Sequence, residues 1–141
     1  MVRALSHVLQ PWSGERVPAN MAHEQENFIQ GDICDQRLVN QIVGGFDAII
    51  NFAAESHVDR SITEPDIFLE TNLAGVGNLL KASLIKEIKK FVQISTDEVL
   101  GSINSGSWTS QSPLLPNSPY AASKAGAELL IRAYGKTYGL D

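Results

Sequence analysis

Two clusters of side chains in this sequence have the types and spacing of acid–base chemistry. Ser95-Thr96-Asp97-Glu98 directly follows the apolar run Phe91-Val92-Gln93-Ile94. Adjacent carboxylates at the end of a buried strand are costly for packing. They are useful where one acid must donate a proton and another must remove one. Neighbouring carboxylates that share a site push their pKa values apart, so one can stay protonated while the other is ionised. Downstream, Tyr120 and Lys124 are four residues apart and so share one helix face. A phenol is a poor base at its ordinary pKa of ~10, and a nearby ammonium favours the phenolate. Such a pair can take a proton from a sugar or alcohol hydroxyl while a hydride leaves the same carbon. Tyr-x-x-x-Lys alone is a weak signal. Set in Pro116-Asn117-Ser118-Pro119-Tyr120-Ala121-Ala122-Ser123-Lys124, it becomes much more specific. The blander reading of Asp97 and Glu98 is a solvated loop or a helix N-terminus. The dry strand before them and the tyrosine pair after them weigh against it.

The elements that must hold these groups are legible as an alternation of short apolar runs and longer amphipathic ones. That pattern argues for an α/β fold with a parallel sheet. A weak strand is expected over Val2 to Leu5, loop over residues 6–26, and a short strand at Phe28-Ile29-Gln30. Asp35 reads as an N-cap for a helix towards Val43, stopped by Gly44-Gly45. Ala48 to Ala54 is a near-continuous apolar run, as in a strand buried on both faces. Pro65 opens a long helix to about Glu87, with Phe68, Leu69, Leu73, Val76, Leu79, Leu80 and Leu84 near a 3.6 period. Phe91 to Ile94 is the next strand, residues 100–119 a long Ser/Gly/Pro-rich loop, and Pro119 to Tyr138 the last helix before Gly139. In parallel α/β sheets, ligands bind beyond the carboxyl ends of the strands. Ala53-Ala54-Glu55-Ser56-His57 and Ser95-Thr96-Asp97-Glu98 both lie there. Ala53 and Ala54 would admit a flat ligand or serve tight helix–strand packing, and both readings stand. His57, Asp59 and Arg60 read as a structural polar network. Lys86, Lys89 and Lys90 read as the solvated basic end of a helix.

The 141 residues suffice for one domain with a real core. Hydrophobic content of 43% and charged content of 19% are ordinary for a globular chain. A net charge of −5 invites no nucleic acid. No apolar run approaches the ~20 residues that span a bilayer, and no signal peptide is visible. The single cysteine, Cys34, rules out an internal disulfide and fits a reducing, cytoplasmic location. It reads as a small, half-buried hydrophobe.

With these residues in view, the chain resembles the dTDP-glucose 4,6-dehydratase family of extended short-chain dehydrogenase/reductases. The likeness is carried by GDICD at 31–35, NFAAESHVDRSI at 51–62, FVQISTDEV at 91–99 and PLLPNSPYAASKAGAELLIRAYGKTYGL at 113–140. It implies a Rossmann-like, doubly wound parallel sheet, with residues 1–141 forming the middle portion of an NAD-binding domain. It also implies a reaction on dTDP-glucose. Hydride passes from C4 to NAD+, with Tyr120 as base, Lys124 tuning it and Thr96 aiding the hydroxyl. Glu98 removes the C5 proton, Asp97 protonates the departing C6 hydroxyl, and the hydride returns to C6. By the same likeness, Asp32 and Ile33 would contact adenine. Ala53, Ala54 and Ser56 would line the cofactor, and Thr71 or Asn72 would approach it. The 65–87 and 119–138 helices would form a homodimer interface. No metal is implied.

The chain departs from that family at three places. Leu100 stands where the family usually has Tyr, Ser110 near a usual acidic residue, and Ser6 about where an aspartate holds the adenosine ribose. No Gly-x-x-Gly-x-x-Gly follows a strand, so the pyrophosphate cradle is absent from the sequence. The expectation is an incomplete sheet lacking the first βα unit and the C-terminal substrate domain, with unpaired strand edges and exposed apolar faces. Alternatives are another nucleotide-sugar epimerase or decarboxylase, or a truncated, non-catalytic chain that binds neither cofactor nor sugar or serves only dimerisation.

Overall fold

The structure, a computed structural model, describes Ile29 and residues 31–141. The strand expected at Val2 to Leu5, the loop over 6–26, Ser6, Phe28 and Gln30 lie outside the described residues. Asp35 caps α1 (Gln36–Ile42), its carboxylate accepting from the Arg37 and Leu38 N–H groups at 3.0 Å. Chain reversal after α1 uses Gly45 at φ 89°. β1 (Ala48–Asn51) follows, then α2 (Val58–Thr63), α3 (Pro65–Leu69) and α4 (Val76–Ile85). β2 (Lys90–Gln93) pairs with β1 in parallel, with Ile49 opposite Phe91. A 3-10 turn at Asp97–Leu100, a long loop and α5 (Pro119–Tyr138) complete the order. The crossover between parallel strands through helices is the α/β arrangement expected from the alternating pattern.

The core forms where α1, α4 and α5 meet one face of this small sheet. Ile33, Val39, Val76, Leu79, Leu80, Phe91 and Ala127 are its buried members, with Ile49 and Ala53 packed against it. Ile33 reaches its fully buried position because residue 75 is glycine. A Cβ there would stand 2.7 Å from the Ile33 side chain.

Four expectations need correction. β1 is shorter than the apolar run Ala48 to Ala54 and is not buried on both faces. Ile49 meets the core, whereas Ile50 is 43% and Phe52 70% exposed. Side chains alternate along a strand, so a single layer of helices covers only every second residue. The helix expected from Pro65 to Glu87 is continuous in path but not in pitch. A π-helical segment, Glu70–Gly75, separates α3 from α4, and α4 ends at Ile85. Such wide turns are frequently found at functional sites. Lys89 and Lys90 are not a helix end. Lys89 pairs with Asp47 at 2.5 Å, and Lys90 opens β2 and pairs with Asp141 at 2.9 Å. The short helix α2 was not anticipated, since six residues give too little periodicity to detect. Exposed apolar side chains agree with the expected open faces, with Phe46 44%, Ile94 39% and Leu115 58% exposed.

Candidate active site

Helix α5 starts where its sequence says it should. The Ser118 hydroxyl accepts from the Ala121 N–H at 3.1 Å, and Pro119 occupies the first turn. Gly139, at φ 73°, takes the left-handed position that ends the helix. The next contact is tertiary. The Tyr120 N–H donates to the Ser61 hydroxyl at 3.1 Å, and that hydroxyl donates to the Val58 carbonyl at 2.6 Å. The start of α5 is thereby fixed to α2. The Tyr120 ring stands edge-on to the buried Phe68 ring of α3, with centroids 6.3 Å apart.

The segment leaving β2 lies along one face of α5. Lys124 donates its ammonium to the Ile94 carbonyl at 2.6 Å. One turn further on, Glu128 accepts from the Ser95 hydroxyl. One turn back, the Thr96 side chain stands beside the Tyr120 phenol and bears on its ionisation. Residues 94, 95 and 96 thus meet 124, 128 and 120, three positions four apart on the same helix face. The Thr96 hydroxyl also accepts from the Glu98 N–H at 3.3 Å and so opens the 3-10 turn that carries Asp97 and Glu98. Both carboxylates are exposed, and both bear electrostatically on Tyr120.

Burial pushes the Tyr120 phenol above its ordinary value, the Thr96 hydrogen bond lowers it, and the Glu98 and Asp97 charges raise it again. Burial pushes the Lys124 ammonium down, and Glu128 holds it up. The influences on Tyr120 do not include Lys124, whose ammonium is directed to the strand-exit carbonyl. The sequence reading gave Lys124 the task of lowering the Tyr120 pKa. In this structure its ammonium also bonds the strand-exit carbonyl and so holds the loop.

Asn72, on the π-helical segment, joins the other two parts of the site. Its side chain accepts from the Glu55 N–H at 2.8 Å and donates to the Glu55 carbonyl at 3.0 Å and the Ser123 hydroxyl at 2.9 Å. Ser123 in turn donates to the Tyr120 carbonyl at 2.7 Å. The loop after β1 is therefore latched to the helix that carries Tyr120. Arg60 fastens the same loop, reaching Glu55 at 3.2 Å and Glu64 at 3.1 Å. His57 is exposed and adopts φ 87°, an uncommon conformation for a side chain that is not glycine.

Glu98 faces a cleft of about 240 Å³, lined also by Val58, Gly101, Asn117, Ser118 and Ala121. Pockets for drug-sized ligands run to ~300–1,000 Å³, so this cleft suits a single ring. Its far wall is set by Gly101. There φ is 83°, and a Cβ would stand 2.2 Å from the Leu115 carbonyl oxygen.

The remaining sequence candidates sit as follows. Ala53 and Ala54 are half-buried just beyond β1, and Ser56 is exposed. Asp32 accepts from the Cys34 N–H at 2.8 Å. Ile33 has its side chain wholly in the core, so only its main chain can face a ligand. Thr71 is 1% exposed, and its hydroxyl has no hydrogen-bond partner among the described residues. Leu100 is half-buried at the end of the 3-10 turn and Ser110 is exposed. Sequence reasoning missed Ser61, Phe68, Ser123 and Glu128 as parts of the site. The spacing 120–124–128 was the available signal for Glu128. The others depend on contacts between distant segments.

The family model for GDP-mannose 4,6 dehydratase matches residues 6–141. A dTDP-glucose 4,6-dehydratase of Streptomyces niveus is 54% identical over 81% of this chain and 34% of its own length. The solved DesIV dTDP-glucose 4,6-dehydratase of Streptomyces venezuelae, which has NAD bound, is 55% identical. That match has a TM-score of 0.82 and covers 86% of this chain and 38% of that one. A UDP-N-acetylglucosamine 4-epimerase of Methanobrevibacter ruminantium is 31% identical with a TM-score of 0.79, covering 85% of this chain and 38% of that one. The chain thus spans 34% to 43% of the length of the curated relatives it matches.

Proposed function

The chain belongs to the GDP-mannose 4,6 dehydratase family, and from that premise we propose that its site serves the 4,6-dehydration of dTDP-glucose with NAD as cofactor. The observation that carries this reading is the placement of Asp97 and Glu98. They stand on a turn opened by Thr96, whose side chain, like theirs, bears on the Tyr120 phenol. One acid, one base and a phenol converge there, as oxidation next to elimination requires. Epimerisation needs no carboxylate pair, so the doublet favours the dehydratase over the 4-epimerase relatives.

The residues present fit the redox end of NAD. Ala53 and Ala54 leave the strand end open to a flat ring, and Lys124 keeps further N–H donors beyond the one given to Ile94. The buried, unpaired Thr71 hydroxyl is a group that a ligand's polar atom would satisfy. Asp32 and the Ile33 main chain would serve the adenine end, and Ser56 the rim. The cradle for the pyrophosphate is not in this sequence. When bound, NAD+ would supply the transient store for the hydride that leaves C4 and returns to C6.

The chain's own groups divide the proton transfers. Tyr120, beside Thr96, would take the C4 hydroxyl proton as its phenolate, a form that burial, Glu98 and Asp97 disfavour in the chain alone and that the positive charge of bound NAD+ would favour. Glu98, which lines the ring-sized cleft, takes the proton at C5. Asp97, on the solvent side of the same turn, protonates the C6 hydroxyl so that it leaves as water. We read residues 1–141 as part of one NAD-binding, Rossmann-like domain of a cytoplasmic enzyme. Homodimerisation through the 65–87 and 119–138 helices is supported by the exposure of Leu69, Ile85 and Leu129. Among the described residues, no helix is long and apolar enough to cross a membrane.

The test is a chimera in which residues 31–141 replace the matched segment of the Streptomyces venezuelae dehydratase. The chimera should form the 4-keto-6-deoxy sugar. Asp97→Asn with Glu98→Gln should stop dehydration yet permit C4 oxidation. Undiminished product from that double variant would sink the assignment.

A further inference from the structure

The side-chain pair farthest from the reacting groups on the site face of α5 has no part in the chemistry above. Glu128 stands two turns beyond Tyr120 and one beyond Lys124, and it receives the Ser95 hydroxyl. Ser95 is exposed and sits between Ile94, held by Lys124, and Thr96, which touches the phenol. Without Ser95, the strand exit would be fixed to α5 only at a backbone carbonyl. A carbonyl accepts over a broad range of directions, so that contact sets the height of the loop better than its rotation. The Ser95 side chain, one residue on, adds a second point of attachment one helical turn further along α5, and two points remove the freedom that one leaves.

We propose that Glu128 is a positioning residue of this site: by accepting the Ser95 hydroxyl one helical turn beyond the Lys124–Ile94 contact, it fixes the rotation of residues 94–98 and keeps Thr96 on the Tyr120 side of the loop. The inference rests on the functional reading above only for its purpose. The contact itself is independent of any substrate. Glu128 has a second effect through the same carboxylate. It lies four residues from Lys124, and its charge supports the ammonium that burial disfavours. Geometry and charge can therefore be separated by substitution.

The experiment uses the 141-residue chain without substrate or cofactor. Amide hydrogen exchange reads residues 95–98, ultraviolet absorbance reads the phenol, and carbon-detected magnetic resonance reads the Lys124 side chain. Glu128→Ala should speed exchange of the Glu98 amide, which bonds the Thr96 hydroxyl, roughly fivefold to tenfold, the scale of one lost hydrogen bond. It should also move the Tyr120 phenol to still higher pH, because the lowering bond from Thr96 is lost. Ser95→Ala should reproduce both effects while leaving the Lys124 titration unchanged. Glu128→Gln keeps an acceptor for Ser95. It should leave the loop protected while the ammonium deprotonates at lower pH. Groups facing the phenol are Thr96, Asp97 and Glu98, and these are unaltered throughout. The proposal is overturned if Glu128→Ala and Ser95→Ala leave exchange and phenol titration unchanged, or if Glu128→Gln loosens the loop as much as Glu128→Ala. Failure of the chimera to dehydrate would count against the functional reading and leave this contact untouched.

Discussion

The Lys124 ammonium donates to the Ile94 carbonyl at 2.6 Å, so the lysine of the Tyr/Lys pair is a tie between α5 and the end of β2. This changes the division of labour in the site. Burial is the largest influence on the tyrosine, and Thr96, Glu98 and Asp97 bear on it from the loop side, while the lysine ties that loop to α5. The carboxylate doublet and the phenol are then coupled, because one turn carries the doublet and Thr96 together.

The first expectation is an alkaline titration. The Tyr120 phenolate should form above the ordinary ~10, with burial as the main cause. Tyr120→Phe should remove that late step from the absorbance curve. Asp97→Asn with Glu98→Gln should bring it to lower pH, since both charges oppose phenolate. The folded value lies above the unfolded one, so the linked stability is complete below pH ~10 and is lost as pH rises through the folded value. A phenolate step at or below the ordinary range would contradict this account.

Asn72 offers a second measurement. Asn72→Ala removes three hydrogen bonds, two of them to the main chain of the buried Glu55. Urea unfolding should show a loss of about 2–4 kcal/mol, against about 1 kcal/mol for Ser123→Ala. Equal losses for the two variants would mean that the Glu55 latch contributes little.

Gly101 tests the wall of the cleft. Gly101→Ala forces an L side chain into φ 83° and drives a Cβ against the Leu115 carbonyl. A cost of roughly 1–3 kcal/mol should follow. The Leu115 N–H bond to the Val99 carbonyl, 2.9 Å long, should open and expose that amide to exchange. Protection equal to wild type at Leu115 would show that the wall adapts.

Cofactor binding is the fourth. With no glycine-rich cradle in its sequence, the 141-residue chain should show no measurable heat on titration with NAD+. Micromolar binding would show that the redox end suffices.

Dimerisation through α5 is the fifth. Leu129→Lys places a charge on a residue 54% exposed in the single chain. If the helices pair, sedimentation should shift from dimer to monomer with little change in unfolding. A dimer that survives the substitution would place the interface elsewhere.

The sequence by itself determined what is local or periodic. Asp35 and Pro119 announced two helix starts and Gly139 a helix end, because caps and first-turn prolines act between near neighbours. The Ser-Thr-Asp-Glu run and the Tyr/Lys spacing named the candidate site residues, because a strand end and a helix face are both countable from the chain. Tertiary structure alone decided what those groups do to each other. Ile94 and Lys124 are 30 residues apart, and Asn72 and Ser123 are 51 apart. No periodicity predicts which carbonyl an ammonium will choose, or that a helix will widen at Glu70–Gly75 and present Asn72 to Glu55. Burial, likewise, was legible only as composition. Ile49 and Ile50 are the same residue in adjacent positions, and the single face covered by helices made one of them core and the other surface.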